Sequence, residues 1–427
     1  MPRPVAMLAR FSLYGFLKNL RFFDAFLLLA LRERGIDFLG IGGLIAVREV
    51  ASHLSQIPSG ALADAFGRRR CMVVSMACYV ISYLALGLSA QSWLLVFAMV
   101  FYGTADAFRD GTHKTLIYTW LRQQGRENER TKIYGYTRSW SKMGSALSSL
   151  IAAVLVFITG NFSTVFLLSA IPAFLNLINL ATYPASLDAG IAPGGGLKQA
   201  YRHLVDGFKE VISRSSVRRL VMDSIAFEGG YPVVKDYLQI VVQASVIALP
   251  LGLSLSGEQR TAVFSGLSYA VLHFLASKAS KSAHRFESSS GGVEPAIDRI
   301  FLLSIASMMI LGLALVTGVG WLAISIFIFL GILQNLWRPI HIGRFDRDGN
   351  ESRAATTLSI ESQASSLVAA IWAPLIGFFI DRLSQGEKTA PLDALWPVTL
   401  VAIPLILAWV WRRFRGNPIA NADIPRG

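Results

Sequence analysis

Long apolar runs, separated by short polar, basic or Gly/Pro-rich stretches, dominate this chain. A helix that crosses a bilayer needs roughly 20 mainly apolar residues, because each adds about 1.5 Å against a hydrocarbon core of about 30 Å. Twelve segments reach or approach that length, at 11–31, 38–60, 71–90, 92–116, 133–158, 163–184, 217–241, 259–279, 298–317, 319–342, 354–380 and 392–411. The pattern predicts an all-α polytopic membrane protein. The first run carries Lys18, Arg21 and Asp24 and is followed by no small-residue cleavage pattern, so it reads as a permanent span and not as a signal peptide.

The longest polar connection, 185–216, divides the spans six and six. It predicts an N-terminal six-helix bundle over 1–184, a linker over 185–216, and a C-terminal six-helix bundle with a short tail over 217–427. Within the linker, Pro193-Gly194-Gly195-Gly196 breaks regular structure. After it, Leu197, Tyr201, Leu204, Val205, Phe208, Val211 and Ile212 recur at helical spacing, predicting an amphipathic helix on the membrane surface. The halves echo each other. Ser148-Ser149-Leu150-Ile151-Ala152-Ala153 in span five has its counterpart in Ser365-Ser366-Leu367-Val368-Ala369-Ala370 in span eleven, and Arg109 with His113 is matched by Arg338 with His341. Such echoes at corresponding spans are the mark of two related bundles.

Composition narrows the class further. With 53% hydrophobic and 16% charged residues and a mean hydropathy of +0.49, the chain is too apolar for a soluble or disordered protein. Cys71 and Cys78 sit in one apolar run and suggest neither a bridge nor a metal site. The 40 Lys+Arg against 27 Asp+Glu, a net charge of +13, raise the question of nucleic acid, which the positions of the charges dismiss. With the N-terminus inside, only Arg32, Arg34, Arg260, Arg382 and Lys388 lie in outer loops. The other basic residues outside the spans, among them Arg10, Arg219, Arg344 and Arg412, fall on the inner side, as basic loops do in the cytoplasm. Both termini are therefore expected in the cytoplasm, in a bacterial inner membrane.

Between spans two and three runs Gly60-Ala61-Leu62-Ala63-Asp64-Ala65-Phe66-Gly67-Arg68-Arg69-Arg70. It resembles the loop motif of the major facilitator superfamily, Gly-x-Leu-Ala-Asp-basic-x-Gly-Arg-basic-basic, at the same place in the topology, and departs from it at Ala65. The physical logic is legible in the residues. Gly60 lets helices approach, Asp64 can cap or pair at a helix end, Gly67 permits a tight turn, and Arg68 and Arg69 hold the loop in the cytoplasm. The resemblance implies twelve spans in two halves, alternating access around a central cavity, and a gating latch in which Asp64 and the following arginines join the halves in the outward-facing state. The antiporter signature of that superfamily's fifth span, Gly-x-x-x-Gly-Pro-x-x-Gly-Gly, is missing. Span five has no proline.

Charges inside the spans are the remaining signal. On insertion scales each costs about 2.5–3.5 kcal/mol at a helix centre, so they face a cavity or a partner. Span four carries Asp106, Arg109, Asp110, His113 and Lys114 at i, i+3, i+4, i+7 and i+8, which predicts one continuous charged face. Lys18, Arg21 and Asp24 in span one step by three residues and share an arc of about 120°. Arg48 and Glu49 lie mid-span in span two, and Arg138 and Lys142 are one turn apart in span five. In span seven, which also holds Asp223, Lys235 and Asp236, the run Glu228-Gly229-Gly230-Tyr231-Pro232 predicts an interrupted helix, a pointer to a binding site or gate. Arg338 and His341 end span ten, and Glu361 lies in span eleven.

These residues predict a secondary transporter of a small anionic or zwitterionic solute, coupled to protons. The expected substrate-binding residues are Lys18, Arg21, Asp24, Arg48, Glu49, Asp106, Arg109, Asp110, Arg138, Glu228 and Arg338, since the planar guanidinium fork suits carboxylate and phosphate. The proton-coupling candidates are Asp24, Glu49, Asp106, Asp110, His113 and Glu361. A drug or metabolite efflux antiporter of the same fold, with Phe16, Phe23, Tyr102 and Trp140 lining the pocket, is the alternative, and a non-transporting membrane sensor or scaffold a third. No P-loop, cofactor or metal site is expected. The expected partners are a small-molecule substrate, protons and the lipid bilayer, without nucleic acid, for a monomer that is not an enzyme.

Overall fold

A computed structural model describes residues 4–88, 91–110, 112–126, 129–188, 213, 215–248, 254–348, 354–385, 387 and 389–414. The described chain forms twelve antiparallel spans. Eight of them are single helices, the first six in the order Phe38–Phe66 (two), Arg68–Leu88 (three), Arg130–Thr159 (five), Thr164–Ala181 (six), Gly257–Ser289 (eight) and Val293–Val316 (nine). Gly320–Asp348 and Ala354–Leu383 are spans ten and eleven, and span twelve is a 3-10 segment, Leu392–Val401, continued by the α-helix Ala402–Phe414. The predicted linker helix, 197–212, lies outside the described residues.

Three spans are broken, and the breaks fall where the sequence concentrates charge. Span one runs as Pro4–Lys18, a 3-10 turn Phe22–Ala25, and Leu27–Glu33. Asn19 ends its first piece by donating its side-chain amide to the carbonyl of Gly15 at 2.7 Å. Lys18, Arg21 and Asp24 therefore do not share one helical arc. Span four consists of Ser92–Arg109 and Thr112–Gln123, with Asp110 in extended conformation between them. The expected continuous face is thus two faces, because the bend re-aims His113 and Lys114. Span seven breaks after Glu228, as the two glycines and the proline predict, resumes as Tyr231–Asp236, and breaks again before Leu238–Ala248.

Seven described helices are long and apolar enough to cross a membrane on their own: those of spans three, five, six, nine, ten, eleven and twelve. Spans one, four and seven miss that test because they break, and two and eight because polar groups interrupt their apolar surface. Outward-facing Val154, Ile158, Ile171, Phe174, Met309, Leu313 and Ile371 form an apolar exterior that suits lipid and would be costly in water. Inside, Phe227, Phe301 and Trp337 pack one end of the C-terminal half, with Phe227 stacked on Trp337 at 4.8 Å. Cys71 and Cys78 are buried and form no disulfide with each other.

The halves meet on the side opposite the two ends of the described chain. Span two crosses span eleven there with almost no space between backbones: a Cβ at Gly42 would strike the Ala373 carbonyl, and one at Gly377 the carbonyl of Phe38. Asp381 of span eleven accepts from the backbone N–H groups of Phe38 at 3.0 Å and Leu39 at 2.7 Å, capping the start of span two across the interface. The Leu28 N–H donates to Gln239 Oε1 at 2.9 Å, joining spans one and seven. Toward the terminal side the halves part and enclose polar space.

Candidate substrate cavity

Two chambers lie between the halves. The one nearer the terminal side has a volume of about 530 Å3 and is lined from spans one, four, five and ten. Its charged lining is Lys18, Arg109, Lys114, Arg138, Lys142 and Arg338 against a single carboxylate, Asp110. His113 also faces it, stacked on Tyr14 with ring centroids 3.8 Å apart. The second chamber, about 340 Å3, is lined by Arg21, Asp24, Arg48, Glu49, Asp106, Lys235 and Asp236, with Phe23, Tyr102, Ser362 and Ser366. Arg109 and Asp110 border both. The bend at Asp110 places them there, since it ends the helix at the junction.

The second chamber is electrostatically self-contained. Arg21 pairs with Asp24 at 2.9 Å and donates to the Tyr102 hydroxyl at 2.6 Å. Arg48 pairs with its neighbour Glu49 at 2.6 Å, and its guanidinium lies 5.4 Å from the centre of the Tyr102 ring. Arg109 pairs with Asp106 at 2.8 Å and donates to the Tyr79 hydroxyl at 2.9 Å, while that hydroxyl donates to Asp106. Lys235 and Asp236 are 3.5 Å apart. The first chamber differs. Lys18, Arg138 and Lys142 have no carboxylate within ion-pair distance among the described residues, and the Asp110 carboxylate has no basic partner there.

The C-terminal candidates sit behind the cavity wall. Glu361 is fully buried, accepts from Arg338 at 2.7 Å and from the Ser224 hydroxyl, and thereby holds Arg338 toward the cavity. Glu228 lines neither chamber; it accepts from Gln334 at 3.1 Å and lies 4.0 Å from Arg338, so its place is in support of that arginine. His341 is fully buried, stacked on Trp337 at 4.1 Å, and does not match His113 in exposure to the cavity.

The motif between spans two and three is anchored inside its own half. Gly67 turns with φ +101°, and a Cβ there would lie 2.7 Å from the Asp188 carboxyl carbon. Asp188 accepts from the Arg69 backbone N–H at 2.8 Å, and the Arg69 side chain reaches the same carboxylate at 3.4 Å and the Tyr183 carbonyl at 3.0 Å. These contacts clamp the loop to the end of span six. The cross-half latch implied for the outward-facing state is not formed by Arg69 in this conformation. The side chain of Asp64, like Gly60, lies outside the described residues, and Arg68 is half-buried at the start of span three.

Three arginines assigned to the inner loops are instead buried in a network. Arg344 contacts Asp223 at 2.8 Å and Glu294 at 3.0 Å. Arg412 contacts Asp223 at 2.5 Å, Glu294 at 2.9 Å and Asp298 at 2.8 Å, and Arg219 reaches Glu294 at 3.1 Å. A hydropathy reading ends spans ten and twelve before Arg344 and Arg412, because it treats a charge as the end of the membrane. Asp188, Tyr79 and Tyr102 were equally hidden: nothing in their spacing shows that they will meet an arginine.

The sequence profile of the Major Facilitator Superfamily matches residues 6–360. The chain belongs to the major facilitator superfamily. No curated protein matches the sequence significantly. Among solved structures, the nucleoside transporter NupG aligns with a TM-score of 0.75 at 13% identity, covering 96% of this chain and 99% of that one. A bacterial homologue of the human lysosomal transporter Spinster, in an inward-facing and unoccupied conformation, aligns at 0.70 and 13%, covering 96% and 97%. The D-xylose-proton symporter aligns at 0.64 and 14%, covering 95% and 96%. At these identities the likeness is one of fold, and it matches the superfamily's twelve transmembrane helices in two six-helix bundles. The protein is a multi-pass membrane transporter of this superfamily.

Proposed function

We infer that the protein is a secondary active transporter that moves a small anionic or zwitterionic solute by alternating access, coupled to protons. The observation that carries this reading is the first chamber, which Lys18, Arg138 and Lys142 line with no carboxylate within ion-pair distance among the described residues. Unpaired cations at membrane depth are expensive, and a visiting anion that replaces lost hydration offsets that cost. Bundles 1–184 and 217–427 rock about the contacts near Gly42 and Gly377. With both termini in the cytoplasm of a bacterial inner membrane, as the basic loops suggest, the described conformation opens inward.

Asp110 is our choice for the coupled proton. Asp24, Glu49, Asp106 and Glu361 are each held by an arginine, whereas Asp110 stands at the junction of the chambers free to exchange a proton with a passing solute. Proteoliposome uptake with an imposed pH gradient tests both parts. Asp110→Asn should abolish gradient-driven accumulation while leaving solute exchange. Accumulation that survives the substitution rejects Asp110 as the carrier, and flux that never occurs favours a sensor or scaffold. The efflux reading has less support: of its four aromatics Phe23 and Tyr102 line the second chamber, where charged pairs surround them, whereas Phe16 and Trp140 pack edge-on against each other at 6.2 Å and line neither chamber. The transporter acts as a monomer in this reading.

A further inference from the structure

The charge carried by the solute can be narrowed from the lining of the first chamber, granting the anion-transport reading on which this rests. Six basic side chains and one acidic one face that space. Arg109 is compensated by Asp106 at 2.8 Å and Arg338 by Glu361 at 2.7 Å. Lys114 lies 5.6 Å from the centres of both the Tyr118 and Tyr134 rings, whose faces attract a cation. Lys114 keeps its charge beside those rings, and apart from it Lys18, Arg138 and Lys142 stand against Asp110, two more positive charges than negative.

We propose that the solute is a dianion, a phosphate ester or a dicarboxylate, bound through Lys18, Arg138 and Lys142. The three cations approach from two helices, Lys18 from span one and the other two from successive turns of span five. Arg138 and Lys142, at i and i+4, repel each other in the empty site, and a doubly charged guest turns that repulsion into attraction. A singly charged guest leaves one more cation for water alone to compensate. The space between the cations is polar: Asn19, Thr137, Ser141 and Ser145 line the same chamber, the three hydroxyls donating to carbonyls one turn back along span five. The volume of about 530 Å3 leaves room for an organic body beside the anionic group.

The test compares succinate with its monomethyl ester, which keeps the skeleton and removes one charge, and adds glycerol phosphate. The full-length protein, purified in detergent, is melted in each at fixed ionic strength, with chloride as the baseline. A ligand that selects the folded state raises the melting temperature, and its concentration dependence gives the affinity. Succinate or glycerol phosphate should bind at least about tenfold more tightly than the monoester. Preference for glycerol phosphate assigns a phosphoryl solute, and preference for succinate a dicarboxylate. The paired Lys18→Gln and Lys142→Gln substitutions should remove the preference for two charges, whereas Lys142→Arg should retain it. Equal affinity for succinate and the monoester overturns the dianion and leaves the broader anion reading standing. No shift with either dianion overturns the proposal, and a shift with neutral or cationic solutes alone overturns the anion reading as well.

Discussion

The basic residues of the two halves solve opposite problems. In the C-terminal half, Arg219, Arg344 and Arg412 are matched by Asp223, Glu294 and Asp298 in a compact network that closes the terminal-side ends of spans seven, nine, ten and twelve. In the N-terminal half, Lys18, Arg138 and Lys142 face open polar space and no carboxylate meets them. The first arrangement is a fixed joint, in which every charge is already balanced. The second is a socket whose balance comes from outside. Membrane depth alone does not mark a charge as functional; the absence of a partner does.

The largest expected effect would come from breaking the joint. Asp223→Ala leaves Arg344 and Arg412 with only one of the two carboxylates they share, and truncating one member of a buried network costs about 3–5 kcal/mol. Yield of monodisperse protein and its melting temperature should both fall sharply. If they do not, the contrast between joint and socket is wrong. Lys18→Gln with Lys142→Gln should give the reverse profile, with uptake of an anionic solute down by about tenfold or more and a melting temperature unchanged or raised, because like charges repel less. Reconstituted flux and thermal melting on one preparation separate the two outcomes.

A smaller change is expected at the contact between halves. Asp381→Ala removes the acceptor for two N–H groups at the start of span two, a loss of about 0.5–2 kcal/mol for a helix cap. It should shift the population toward opening on that side. Leu28→Cys, buried beside Gln239, should then react faster with a membrane-impermeant maleimide than in the Asp381 background. Unchanged labelling would show that span eleven does not hold this gate. The smallest effect is expected for Gly67→Ala, where a positive φ and the nearby Asp188 carboxyl together cost about 1–2 kcal/mol, read as a modest drop in melting temperature with transport retained.

Much of the fold was legible because hydrophobic length is a one-dimensional property. The interruption of span seven was equally readable, since Gly229, Gly230 and Pro232 act on the backbone locally. The breaks in spans one and four were not. Asn19 and Asp110 are weak helix formers, and Gly111 follows Asp110, yet one weak position inside an apolar run does not say that a helix ends there; the packing around the cavity decides it. The candidate site was read as one charged lining, and the structure divides it in two. Arg21, Asp24, Arg48, Glu49, Asp106 and Arg109 neutralise one another in the deeper chamber, Glu228 and Glu361 withdraw behind Arg338, and the unmatched cations collect nearer the terminal side.

By itself the sequence determined that this chain crosses a membrane twelve times in two echoing halves and that its loop motif is that of the major facilitator superfamily. Burial of apolar length and exclusion of charge from lipid act on each segment separately, so no partner needs to be known. Which charge meets which was decided only by the tertiary structure. Arg344 and Lys142 are alike as letters in a string, yet one is sealed among carboxylates and the other faces open space. A Coulombic interaction depends on distance, and distances between helices far apart in sequence exist only once the bundle has formed.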